Sequence, residues 1–224
     1  MLNLSERLLC IAGLINEGER VADIGTDHAY LPIYLRQSGK CPHVLACDIK
    51  QLPLESAKRN VEDCHADGID FRLCDGLSGI YEDEVDCVVI AGMGGECIAG
   101  ILKNSWSKYS NKRFILQPMN SPEFLREYLQ NDYTVLSERA VTDCGRTYTV
   151  LEVLAAEDNS KKPEGFIFTG LLDPRFEEDR RFLQKQLKRL SSCAEELSSV
   201  SKEKEKRDYY VFACDAIKKR LSEV

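Results

Sequence analysis

The sequence predicts an α/β protein: a mostly parallel, Rossmann-like sheet with helices on both faces, an antiparallel last strand and a C-terminal helical hairpin. Three observations predict it. Short apolar runs alternate with helix-patterned segments from residue 20 to 156, as crossover connections between parallel strands require. One run, "DCVVIAG" (86–92), is nearly all apolar, as a strand buried on both faces should be. Beyond residue 165 the apolar spacing changes to four then three, the period of packed helices.

The elements follow in order. "MLNLSERLLCIAGLINEG" reads as an amphipathic helix, because it lacks the basic start and small-residue cleavage site of a secretory signal. "RVADIG" is the first strand, and "LPIYLRQSG" a helix stopped by Gly39. "HVLACD", "IDFRLCD", "DCVVIAG" and "RFILQP" supply strands two to five, with helices "LPLESAKRNVEDCHADG" and "GECIAGILKNSW" between them. "SPEFLREYLQN" is a helix with Ser121 as N-cap and Pro122 in its first position. "YTVLSERAV" and "TYTVLEVLAA" are separated only by a short turn through Asp143 and Gly145, so they pair antiparallel.

The polar stretch 157–165 marks a boundary between a domain at 1–160 and a hairpin domain at 161–224. In the hairpin, Phe176, Leu183, Leu187, Leu190, Ala194 and Leu197 keep heptad spacing. A second stripe holds Tyr210, Ala213, Ile217 and Leu221, and the pair is read as a short antiparallel coiled coil.

Composition limits the function. No run of about 18 apolar residues exists, so no membrane span is expected. The ten cysteines are scattered, several within strand candidates, and none forms C-x-x-C. They read as reduced core thiols of a cytoplasmic protein. His28, His43 and His65 have no ligand spacing, so no metal is expected. Net charge is −7, but residues 160–224 carry 15 Lys and Arg against 12 Asp and Glu, a net of +3 that leaves −10 for the rest. A basic tail on an acidic body suits an anionic partner.

Ligands of such sheets bind beyond the carboxyl ends of the strands. Here strand one ends in Asp23, Gly25 and Asp27, and strand two in Asp48 and Ile49. Strand three ends in Asp75 and Gly76, and strand four in Ala91, Gly92, Met93, Gly94 and Gly95. The loop after strand one lacks the G-x-G-x-x-G pattern of a dinucleotide site. It also lacks any Lys or Arg, so a pyrophosphate would be repelled by Asp23 and Asp27. A cationic nucleoside without phosphate fits instead, and S-adenosylmethionine is one. Asp48 lies 23 residues after Gly25, about the offset at which an acidic side chain reaches ribose hydroxyls. Asp75 is placed to take an adenine amine. A lone aspartate at a strand end is commonly a turn former; their recurrence at successive ends points to the ligand.

"VADIGTDHAYLPIYL", "DGL" (75–77), "IAGMGG" (90–95) and "LQP" (116–118) together resemble the tRNA adenine-N1 methyltransferases that modify position 22, over nearly the whole chain. The resemblance implies a class I methyltransferase domain, S-adenosylmethionine as cofactor, tRNA as partner and a C-terminal coiled coil that binds it. The chain departs from the family's pattern in having Leu52-Pro53 after Asp48, and Met119 between "LQP" and Asn120. Neutral adenine N1 needs no deprotonation, so the chemistry requires placement and stabilisation of a developing positive charge. Asp27 is the candidate for that role, with His28, Tyr30 and Asn120 around the base. Met93, Gly94 and Pro118 line its pocket, and Arg180, Arg181, Lys185 and Lys188 contact RNA. Two alternatives stand beside this: a class I methyltransferase acting on a small molecule or protein, and a non-catalytic RNA-binding protein of the same fold. Nothing in the sequence separates a monomer from a weak dimer.

Overall fold

The computed structural model describes residues 2–103, 108–156, 162–197 and 203–223. Helix α1 (Glu6–Leu14) precedes strand β1 (Val21–Ile24). Then follow α2 (Tyr30–Gln37), β2 (Val44–Asp48), α3 (Gln51–Asp63), β3 (Ile69–Leu73), β4 (Cys87–Met93), α4 (Gly95–Lys103), β5 (Arg113–Pro118) and α5 (Pro122–Asp132). Strands β6 (Thr134–Asp143) and β7 (Arg146–Leu154) lead through a one-turn α6 (Phe166–Thr169) to α7 (Glu177–Glu196) and α8 (Lys204–Leu221). Part of the expected boundary (157–161) and part of the turn between the last two helices (198–202) lie outside the described residues.

The sheet order is β3-β2-β1-β4-β5-β7-β6. β1 to β5 run parallel, and β7 pairs antiparallel with both β5 and β6. The antiparallel last strand therefore lies inside the sheet, and β6 forms the edge. The order reverses between β1 and β4, so the ends of these two strands flank the crevice where such sheets bind ligands. Cys87, Val88, Val89 and Ile90 of β4 are fully buried, because helices cover both faces at the centre of the sheet. Burial of each Val or Ile contributes roughly 1.5–3 kcal/mol.

Ser121 precedes α5, but it is left-handed (φ 48°) and its side chain makes no capping bond. The turn instead aims backbone at α4: Gly95 N–H donates to the Asn120 carbonyl at 3.1 Å, and a Cβ on Gly95 would strike the Ser121 carbonyl.

α7 and α8 pack on one another and on the sheet edge. Phe182, Leu183, Leu190, Ala213, Cys214 and Ile217 share a buried cluster with Ala140 of β6 and Phe168 of α6. Phe176, placed by its spacing in the heptad core, is 66% exposed at the helix entrance, while Phe182 is buried. Asp179 explains the difference. It is buried, accepts the Ala140 N–H at 2.6 Å and the Asp173 N–H at 2.9 Å, and so ties the start of α7 to β6. A helix held against a sheet edge and a second helix buries a broader face than a two-helix seam.

A buried ion pair joins the sheet edge to this region. Arg126 of α5 bonds Glu138 of β6 at 2.8 Å, and both side chains have no exposure. The remaining donors of Arg126 reach the Ile167 and Phe168 carbonyls, and Glu138 Oε2 accepts the Leu171 N–H. Gly170 is required beside them, at φ +58°, because a Cβ there would collide with Glu138.

Candidate active site

The loop after β1 is held in an unusual backbone shape. Gly25, Asp27 and Ala29 all have positive φ, at 75°, 50° and 56°. Such conformations cost free energy in non-glycine residues and collect at functional sites. The Gly25 and Thr26 N–H groups both donate to the Cys47 carbonyl at 2.9 Å, which pins the loop to the end of β2. A side chain at Gly25 would collide with Met93 Cε. The loop encloses a cavity of about 340 Å³ with Asp23, Thr26, Asp27, His28 and Tyr30 on one side and Ala91, Gly92, Met119 and Arg7 on the other.

Asp23 is 6% exposed, and burial pushes its carboxyl up to about 6. Asp48 adds to the rise; Thr26 and Arg7 oppose it. A strained loop with Asp23 and Asp27 lining one cavity fits a ligand bearing positive charge. Arg7 also lines the cavity, where Asp143 lies 3.7 Å from its guanidinium.

Arg7 escaped the sequence reading, and Gln117 entered it only within the "LQP" motif, with no role of its own. Gln117 is fully buried; its Oε1 accepts from Arg7 Nη1 at 2.7 Å and from the Gly92 N–H at 3.1 Å. This network ties α1 to the ends of β4 and β5, and Arg7 and Gln117 lie 110 residues apart in the chain. A glutamine inside the apolar strand "RFILQP" was the available signal. Arg7 had none, because one cation on an amphipathic helix reads as its solvated face.

The other expected residues fall into place unevenly. His28 and Tyr30 stack with ring centroids 5.3 Å apart, and His28 Nδ1 lies 3.1 Å from Ser56 Oγ. Asp48 Oδ1 accepts the Lys50 N–H at 2.9 Å, and Ile49 beside it is 59% exposed. Asp75 and Gly76 line a separate cavity of about 360 Å³ with Cys97, Gly100 and Ile101. Met93 stands between the two cavities, next to Gly25 on one side and with its sulfur 3.9 Å from Cys97 Sγ on the other. Gly94 leaves room for Asn120, whose Oδ1 would sit 3.0 Å from a Cβ there.

Met119 also lines a larger groove, of about 700 Å³, between the end of β5 and α7. Pro118 and Asn120 lie at one side of it, Lys185, Lys188 and Arg189 at the other. Arg180 and Arg181 are outside this groove, and Arg181 is engaged by Glu177 at 2.8 Å and Glu178 at 3.5 Å. Among the described residues no cluster of His, Cys, Asp or Glu is arranged to hold a metal ion. No helix among them is long and apolar enough to cross a membrane.

A family profile described as a methyltransferase domain matches residues 4–151. The tRNA (adenine(22)-N(1))-methyltransferase of Bacillus subtilis is 37% identical over 210 residues, covering 89% of this chain and 88% of the relative. The chain belongs to the tRNA (adenine(22)-N(1))-methyltransferase family. Solved members have the same architecture. The B. subtilis M1A22 tRNA methyltransferase TrmK superposes with a TM-score of 0.88 at 31% identity, covering 99% of this chain and 100% of that one. A putative tRNA (m1A22) methyltransferase of Streptococcus pneumoniae, solved in complex with S-adenosyl-L-methionine, gives 0.83 at 33% identity, covering 98% and 100%. The family's fold is thus the Rossmann-like sheet expected from the alternating elements, with the two C-terminal helices included.

The raised Asp23 carboxyl sets a pH dependence. Its folded-state value lies above that of an unfolded aspartate, near 3.9. Ionising it in the ligand-free protein therefore costs stability as pH rises through about 6. A bound cation favours the ionised form, so cofactor affinity is expected to fall about tenfold from pH 7 to pH 5. Calorimetry at the two pH values checks this. Asp23→Asn should lose the dependence, and an equally steep slope in that variant would remove Asp23 as its source.

Proposed function

We propose that this protein transfers the methyl group of S-adenosylmethionine to N1 of adenine 22 in tRNA. One observation carries the reading beyond kinship: Met119 belongs both to the cavity holding Asp23 and Asp27 and to the groove holding Lys185, Lys188 and Arg189. A site for a small cation thus opens directly onto a surface for a polyanion.

S-adenosylmethionine supplies the electrophilic methyl group when bound. Asp23 faces its positive charge, Arg7 pairs with its carboxylate, and Asp48, Ile49 and Asp75 hold its nucleoside end. Gly25, Gly76, Ala91, Gly92 and Met93 shape the space between them. Asp27 accepts from the base as positive charge spreads from N1 to the exocyclic amine. The stacked His28 and Tyr30 rings, with Tyr30 43% exposed, offer a face for the adenine, and Pro118, Gly94 and Asn120 close the pocket. Adenine N1 is occupied by pairing in a helix, so the target base must leave its stack to reach this pocket. Residues 1–160 form the catalytic domain and 161–224 an RNA-binding appendage, with the protein acting in the cytoplasm where its tRNA resides.

The deciding experiment incubates the protein with labelled S-adenosylmethionine and unmodified tRNA and maps the product. The expected product is N1-methyladenosine at position 22; incorporation at another atom or no incorporation would end the proposal.

The groove makes a further prediction. Replacing Lys185 and Lys188 with Glu should weaken tRNA binding and lower the slope of log affinity against log salt by about 2, one per lost phosphate contact. The same change at Arg180 and Arg181 should do less, because they lie outside the groove. Anisotropy titrations across a salt series compare the two; equal effects would mean that the groove has no special role.

A further inference from the structure

We infer that Tyr209 and Phe212 of α8 form a stacking platform for an unpaired nucleobase of the RNA, at the far end of the groove that begins beside the methyl donor. The inference rests on the tRNA reading above and extends it to a second contact.

Three concavities join through shared residues. Met119 links the cofactor cavity to the groove. Glu123, Gln186 and Arg189 link that groove to a recess of about 140 Å³ lined by Phe168, Leu190, Tyr209 and Tyr210. The path therefore leads from the loop after β1, across α7, to the face of α8. There Tyr209 is 47% exposed and Phe212, one helical turn on, is 51% exposed. Exposed aromatic side chains grouped on one helix face mark an interaction surface.

Their arrangement suits a base. Phe168 backs both rings, with centroids 5.1 Å from Tyr209 and 6.1 Å from Phe212. This holds them in place before any partner arrives, so little side-chain entropy is lost on stacking. The neighbourhood attracts no phosphate: Arg189 is paired with Glu123 at 3.1 Å, and Glu127 beside Tyr209 leaves it slightly acidic. Phosphate attraction therefore belongs to Lys185 and Lys188 in the groove, and the exposed rings of Tyr209 and Phe212 offer the apolar surface. Glu123 Oε2 is buried without a hydrogen-bond partner among the described residues, an acceptor left over where the groove meets the recess. A ribose hydroxyl or an exocyclic amine is the donor that RNA would bring to it.

Stacking and charge are separable by salt. Tyr209→Leu and Phe212→Leu keep apolar bulk and remove the π-face. Each is expected to weaken binding of unmodified tRNA by about 5- to 100-fold with no change in salt slope, since stacking releases no phosphate counterions. Tyr209→Trp should bind like the parent. S-adenosylmethionine affinity and melting temperature, measured on the same samples, should be unaltered in all three. Leucine variants that bind tRNA as tightly as the parent overturn the platform. So does a parent dimer, seen by light scattering, that dissociates in the leucine variants, because the patch would then be a contact between copies. A parent that binds no tRNA refutes the function proposed above and the platform with it; failure confined to the platform shows only in the variants.

Discussion

Arg126→Met is expected to destabilise the protein by about 3–5 kcal/mol, the largest effect of any single substitution outside the active site. The pair it breaks is completely enclosed, so Glu138 would keep its charge with no cation and no water. Two carbonyls, of Ile167 and Phe168, would lose their donor as well. Lysine should rescue poorly, because a single ammonium does not reproduce the planar fork that reaches Glu138 and both carbonyls. Removing both charges in Arg126→Met/Glu138→Gln should recover a good part of the loss, since the cost comes from the abandoned charge. Urea unfolding of the four proteins measures this, and a midpoint for Arg126→Met equal to the parent's would show that the pair is not needed to dock α6 on the sheet.

Asp27→Asn should slow methyl transfer about 100-fold in single turnover and weaken S-adenosylmethionine binding by much less, because Asp23 remains in the cavity. Asparagine is the informative replacement because it tolerates the left-handed backbone that Asp27 adopts at φ 50°. The loop thus keeps its shape, and only the charge available to the cationic product is lost. Asp27→Ala would mix that loss with backbone strain. A parental single-turnover rate in Asp27→Asn would take Asp27 out of the chemistry and leave it a role in loop shape alone.

The two predictions differ in how visible their residues were. Asp27 was conspicuous from the sequence, because it follows a strand, a glycine and a threonine in a loop with no basic residue. The pair of Arg126 and Glu138 was not. Each reads as an ordinary charge, in "SPEFLREYLQN" and "YTVLSERAV", and charges in such segments are mostly solvated. Their burial arises because α6, a single turn with no periodic signal of its own, folds over them. Phe176 and Phe182 show the same limit in the C-terminal helices. The heptad spacing located the helices and their shared stripe, but the rotation of α7 is set by Asp179 on the β6 edge, which the spacing does not contain.

The sequence by itself determined the alternation of strands and helices, the buried central strand, the acidic strand ends and the charge contrast between body and tail. These depend on local period and on residue type, both of which are written along the chain. Tertiary structure alone decided that Arg7 enters the cavity beside Asp23, that Gln117 is its partner, and that Lys185 and Lys188 rather than Arg180 and Arg181 line the groove. Those outcomes depend on which surfaces meet across as many as 110 residues, as for Arg7 and Gln117. A side chain's spacing records which face it occupies, and only the packed partner determines what that face touches.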